Sequence, residues 1–76
     1  MEGVELSPNI ERAADKLLAE IARADSMIIA AKAGARAEGF VYGLESARAL
    51  TESTIDKLYV IFDNATENRL RALTST

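Results

Sequence analysis

Four carboxylates and a tyrosine recur along the carboxyl-terminal third of the chain, at Glu52, Asp56, Tyr59, Asp63 and Glu67. Carboxylates in a row can bind a hard cation or a basic protein surface. Metal sites in helix bundles use inward-facing glutamates and Glu-x-x-His motifs, whereas this row points away from the apolar residues and the chain has no histidine. We therefore expect a solvated acidic ridge. With Tyr42 and Tyr59 as aromatic anchors, it is a candidate surface for binding a protein partner.

Two opposite charges interrupt apolar helix faces. Asp25 projects between two apolar rows of the predicted first helix, and Arg69 lies at the centre of the apolar arc of the second. A buried pair of this kind can fix the register of helices at a cost in stability. We expect Asp25 and Arg69 to form a buried polar pair with a structural role; binding of a polar group in a helical groove is the functional alternative.

Glycines and arginines form a second candidate site. Gly39, Gly43 and Ala47 recur every four residues, so two backbones could approach closely there. Tight helix packing is one interpretation of this spacing. The other is a ligand cleft at Arg36, Gly39, Gly43 and Arg48 that binds an anion such as a nucleotide.

The composition argues against catalysis and against nucleic acid. The 76 residues include no cysteine and no histidine, so the usual bases of nucleophilic triads and the usual zinc ligands are missing. The formal charge is −3, and the nine basic residues are spaced singly, which gives phosphate binding little electrostatic support. We expect no enzyme activity, no cofactor, no metal and no nucleic-acid partner.

Targeting signals are not evident. Residues 1–6 carry two glutamates, unlike a secretory signal, and the longest weakly polar stretch, residues 27–31, is too short to cross a bilayer. We expect a cytoplasmic protein that does not enter membranes.

The elements that carry these residues are helices. Apolar residues recur at alternating steps of four and three, as in the seam of a coiled coil; they are Ile10, Ala14, Leu17, Ile21, Ala24, Ile28, Ala31 and Ala35. Ser7 and Pro8 are typical of a helix start, and the glycines from Gly34 onward lie among good helix formers. We predict one long amphipathic helix over about residues 8–50.

A second helix is predicted over about residues 52–73. Thr51 could cap it, or Ser53 could form a capping box with Asp56. Its apolar residues follow the 3.6-residue period; they are Ile55, Leu58, Phe62, Ala65, Ala72 and Leu73. Residues 1–7 and 74–76 should fray at the ends of a single domain spanning 1–76.

These two helices predict an all-α fold in which the long helix folds back on the shorter one. Half of the long helix then has no partner in its own chain, leaving Ile10, Leu17 and Ile21 in water. Exposing such side chains forgoes on the order of 1.5–3 kcal/mol each, so we expect a homodimer. The alternative is a monomeric three-helix bundle with a turn near Gly34, which places Arg69 level with Asp25.

Residues 37–44, with Ala47 and then Leu50-Thr51-Glu52, resemble small α-helical accessory proteins of bacteriophages and prophages. The resemblance extends from Ala37 to about Leu70 and implies a small host-directed protein that acts by binding. We expect a non-catalytic protein-interaction module that regulates or inhibits a host protein. A helical dimer that binds or sequesters a small anionic molecule is the alternative.

Overall fold

The computed structural model describes residues 3–75, and all regular structure in that range is helical. Helix α1 spans Pro8–Arg23, α2 spans Met27–Ser46 and α3 spans Glu52–Thr74. The predicted all-α class is therefore confirmed. The starts of the first and last helices are confirmed too.

The predicted continuous helix over residues 8–50 is wrong, because the chain leaves the helical conformation at residues 24–26. Ala24 takes φ −57° and ψ 131° at the end of α1. Ser26 is the N-cap of α2, and its Oγ accepts a hydrogen bond from the Ile29 amide at 3.1 Å. Such a cap gives the backbone an alternative to continued helix. The turn expected near Gly34 is also misplaced, since Gly34 lies within α2.

The other helix boundaries follow backbone and capping chemistry. Arg48, with φ 54°, has a left-handed conformation in the turn that joins α2 to α3. Thr51 caps α3, because its Oγ1 accepts a hydrogen bond from the Thr54 amide at 3.2 Å. The Ser7 side chain makes no capping hydrogen bond, although α1 begins at Pro8 as predicted.

The three helices pack as an up-down-up bundle. Phe40 of α2 meets Phe62 of α3 edge to face, with ring centroids 6.4 Å apart. The backbone at Gly34 lies against the Thr66 side chain, so α2 and α3 run antiparallel. The largest fully buried side chains come from all three helices; they are Ile21, Val41, Leu58 and Phe62.

The predicted seam is divided by the break at residues 24–26. Its first half points inward, since Ala14, Ile21 and Ala24 are buried. Its second half points outward, since Ile28, Ala31 and Ala35 are exposed. The reason is that α2 buries a different side of the helix against α1 and α3. That side comprises Ala30, Ala33, Gly34, Ala37 and Val41.

The overhang from which a dimer was expected does not exist. Ile21 is buried within the single chain, and Leu17 and Ile10 are half-buried. The amino-terminal segment also packs inward, since Val4 is buried and Leu6 contacts the core. The fraying predicted for residues 1–7 therefore does not extend to Val4. Met1, Glu2 and Thr76 lie outside the described residues.

Candidate functional site

The predicted acidic ridge occupies exposed positions along α3. Glu52, Asp56, Asp63 and Glu67 are all exposed, and Tyr59 among them is half-buried. Their spacing of three and four residues keeps them on one side of the helix. The ridge borders two grooves against α2, one at each end.

Tyr59 connects the ridge to α2. Its hydroxyl donates a hydrogen bond to Oε1 of Glu45 at 3.1 Å. Desolvation, this hydrogen bond and the nearby charges of Glu45 and Glu38 raise the pKa of Tyr59 above its usual value of 10.0, with a smaller contribution from Tyr42.

The first groove, here called the turn groove, lies beside the connection between α2 and α3. It has a volume of about 570 Å³ and is lined by Glu45, Arg48, Leu50, Glu52, Ile55 and Asp56. Ile55 is buried and Leu50 half-buried, so the groove has an apolar floor. Sequence analysis identified Glu52 and Asp56 but missed Glu45, because it placed residues 8–50 in one continuous helix and gave no register between α2 and α3.

The second groove, here called the helix groove, runs between α2 and α3 farther along the bundle. It has a volume of about 350 Å³ and is lined by Ala31, Gly34, Ala35, Glu38, Asp63, Thr66, Glu67 and Leu70. Its polar rim includes three carboxylates, of which Glu67 pairs with Arg71 at 3.6 Å. No lysine or arginine lines this groove.

The predicted buried pair of Asp25 and Arg69 is wrong. Asp25 is exposed at the break between α1 and α2, because that break removes the apolar rows expected to enclose it. Arg69 reaches the same place, but its Nε donates to the backbone carbonyl oxygen of Ala24 at 2.7 Å. The two residues thus come level, as in the three-helix alternative, without forming the expected salt bridge.

The predicted ligand cleft does not assemble. Arg36 faces α1 and pairs with Glu20 at 3.0 Å, whereas Arg48 lines the turn groove. Gly39 and Gly43 lie on open surface, with no neighbour within 4 Å of where a Cβ would stand. Close backbone approach occurs at Gly34 instead.

A further exposed surface was missed by sequence analysis. Ile28 and Tyr42 on α2 are exposed by 69% and 66%, and Ala31, Ala35 and Gly39 lie between them. These five residues are here called the outer face of α2. The apolar repeat of the predicted seam could have indicated this surface, since Ile28, Ala31 and Ala35 belong to it.

Two other features are absent from residues 3–75. No group of three or more acidic side chains there is arranged to hold a metal ion. None of the described helices combines the length and apolarity needed to span a membrane.

Comparison of the chain with protein families, with curated proteins and with solved structures finds no match to any of them. The geometry of the grooves and faces therefore carries the functional argument.

Proposed function

We propose that this protein is a non-catalytic interaction module that binds a positively charged surface of another protein through the turn groove. The observation that carries the proposal is the lining of that groove. Three carboxylates, from Glu45, Glu52 and Asp56, stand against one guanidinium, from Arg48, around an apolar floor.

This lining fits a lysine or arginine side chain of a partner. The aliphatic stem of such a side chain can lie on Leu50 and Ile55 while its charged end reaches the carboxylates. The half-buried ring of Tyr59 adjoins the groove and hydrogen-bonds its Glu45. Aromatic and cationic side chains that meet in a partly desolvated pocket are typical of the residues that dominate binding energy.

The charge of the whole chain supports the same kind of partner. A formal charge of −3 attracts a basic surface and accelerates encounter at low ionic strength. The resemblance of residues 37–70 to phage and prophage accessory proteins supports a host protein as the partner. The protein would then regulate or inhibit that host protein by occupying its surface.

The proposal is tested by quantitative capture from a lysate of the cells in which the protein is made. We compare the wild-type chain with a variant carrying Glu52→Lys and Asp56→Lys. A matched control carries Asp15→Lys and Asp25→Lys, which make the same charge change at exposed positions on α1 and at the break between α1 and α2, away from the groove. Thermal unfolding of all three chains shows that each is folded.

We expect a defined protein to bind the wild type and the control, and to be released as salt is raised. The turn-groove variant should lose at least about 90% of this capture, since two charges beside the partner's cation are reversed. Equal capture by both variants, or equal loss from both, would contradict the proposal.

A further inference from the structure

We propose that the outer face of α2 is the interface of a homodimer in which two copies pack with their α2 helices parallel and in register. Ile28, Ala35 and Tyr42 stand seven residues apart. At 100° per residue they fall within about 40° of arc, on the side of α2 opposite its buried residues. Ile28, Ala31 and Ala35 are the second half of the coiled-coil seam, left without a partner in the single chain, and Tyr42 continues the same side of α2.

The middle of this face allows close approach. Ala31, Ala35 and Gly39 are small and exposed, and a Cβ at Gly39 would meet nothing within 4 Å. Interaxial distances between packed helices depend on the side chains at the contact and start at about 8 Å. Two copies of α2 can therefore meet near Ala35, with the larger Ile28 and Tyr42 side chains packing at either end.

Charges on the two flanks of this face select its occupant. Lys32 and Arg36 lie on the flank beside α1, where Arg36 pairs with Glu20 and both residues line a groove with α1. Glu38 lies on the flank beside α3 and shares the helix groove with Asp63 and Glu67. In the groove with α1, three basic side chains, from Arg23, Lys32 and Arg36, outnumber the carboxylates of Glu20 and Asp25. The helix groove is lined by carboxylates and by no lysine or arginine, so the two flanks are complementary to those of a second copy.

Symmetry then selects the orientation. A twofold axis parallel to the helices places the basic flank of each copy against the acidic flank of the other. An axis perpendicular to the helices gives antiparallel packing and brings like flanks together, which is unfavourable. Only the parallel arrangement brings opposite charges together.

The heights of the charges along the bundle agree with in-register pairing. Thr66 lies against Gly34, so Glu67 on α3 stands near the level of residue 34 on α2. Lys32 of one copy therefore comes within about one helical turn of Glu67 of the other. Lys32 forms no ion pair within residues 3–75 and is free to make this contact.

The dimer adds a consequence to the proposed function without depending on it. Parallel α2 helices place both turn grooves at the same end of the assembly. A partner with two basic sites could then be bound twice, with the gain that multivalency brings.

Molar mass by sedimentation equilibrium tests association directly, from about 1 µM to about 1 mM. A single helix-to-helix contact buries less than a standard interface of about 1,600 Å², so we expect a reversible dimer with micromolar affinity. Lys32→Glu should weaken it about tenfold, since repulsion is created at two symmetric contacts. The matched control, Lys57→Glu on exposed α3 surface away from this face, should not.

Mixing provides a positive test of the charge pairing. The Lys32→Glu chain and a Glu67→Lys chain should each associate poorly alone, whereas an equimolar mixture should form heterodimers, because both symmetric contacts are then attractive. A mixture that associates no better than its components would overturn the pairing. A wild-type chain that stays monomeric to about 1 mM would overturn the dimer and leave the face to another protein.

Cysteine cross-linking tests the orientation, because the chain has no native cysteine. Ile28→Cys and Tyr42→Cys should each form disulfide-linked dimers alone in the parallel arrangement. Residues 28 and 42 are about 21 Å apart along the helix, so cross-links found only in a mixture of the two variants would show antiparallel packing and overturn the proposal. A monomeric chain that still captures a partner through the turn groove would overturn this inference and not the proposed function.

Discussion

The guanidinium of Arg69 donates a hydrogen bond from Nε to the backbone carbonyl oxygen of Ala24 at 2.7 Å. This contact joins the last part of α3 to the break between α1 and α2. Carbonyl groups at the end of a helix lack partners in their own helix, and a cation is favourable there. Arg69 thus stabilises the point at which the chain leaves α1.

Replacing Arg69 should therefore destabilise the bundle. Arg69→Ala removes a partly buried, charge-assisted hydrogen bond, and we expect the free energy of unfolding to fall by about 1.5–3 kcal/mol. Urea denaturation followed by circular dichroism measures the loss. Arg71→Ala removes an exposed i,i+4 ion pair and should cost less than about 0.5 kcal/mol. Equal losses in the two variants would show that the Ala24 contact has no special role.

Replacing glycine by alanine within a helix usually stabilises a protein, but the close contact between Gly34 and Thr66 predicts that Gly34→Ala destabilises this one. A Cβ at Gly34 would stand 2.6 Å from Thr66 Oγ1, which is held by its hydrogen bond to the Phe62 carbonyl. Overpacking of this kind costs about 1–3 kcal/mol. We expect Gly34→Ala to lower the melting temperature in spite of the better helix propensity of alanine.

Two companion variants make this prediction specific. Gly43→Ala has open space around its new Cβ and should raise stability by about 0.5–1 kcal/mol. Adding Thr66→Ala to Gly34→Ala should recover stability lost to the clash. If Gly34→Ala and Gly43→Ala stabilise alike, the contact with Thr66 is not as tight as described.

The cap at Ser26 predicts a local effect on α2. Ser26→Ala removes the acceptor of the Ile29 amide, and we expect a loss of about 1 kcal/mol in unfolding free energy. Ser26→Asp should retain most of the stability, since aspartate also caps helices well. Ser7→Ala is the matched control, because the Ser7 side chain makes no capping hydrogen bond. Chemical denaturation measures the free energy of unfolding of the three variants. An equal loss in Ser7→Ala and Ser26→Ala would contradict the assignment of Ser26 as the cap of α2.

The phenol of Tyr59 should lose its proton at a higher pH than that of an ordinary tyrosine. The chain has two tyrosines, so in a Tyr42→Phe background the absorbance of tyrosinate reports Tyr59 alone. Desolvation and the hydrogen bond to Glu45 raise its pKa above 10.0, and we expect the midpoint to fall in Glu45→Gln but not in Asp15→Asn.

The raised pKa of Tyr59 also determines how the stability of the fold depends on pH. The folded state favours the neutral phenol, so this stabilisation is fully present below the unfolded pKa of 10.0 and is lost as the pH rises through the raised folded value. A midpoint unaffected by Glu45→Gln would contradict the contact between the two side chains.

Sequence reasoning found the helices whose signals are local. Pro8 marks the start of α1 because proline suits the first helical position, and Thr51 marks the start of α3 by capping it. The 3.6-residue period identified Ile55, Leu58 and Phe62 as core residues. The ridge of α3 was found for the same reason, since residues three and four apart share a face.

The break at residues 24–26 was missed because helix propensity and the seam both continue through it. The local signal was Asp25-Ser26 before an apolar run, a pattern typical of a helix start. The grooves could not be predicted because they depend on the register between α2 and α3. That register is set by contacts distant in sequence, such as Phe40 with Phe62.

Hydrogen–deuterium exchange of the chain, alone and with its captured partner, tests most directly the claim that the turn groove is the binding surface. The partner should slow amide exchange at residues 45–59, around Arg48 and the start of α3, and leave α1 unchanged. Slower exchange confined to α1, with residues 45–59 unaffected, would contradict the account.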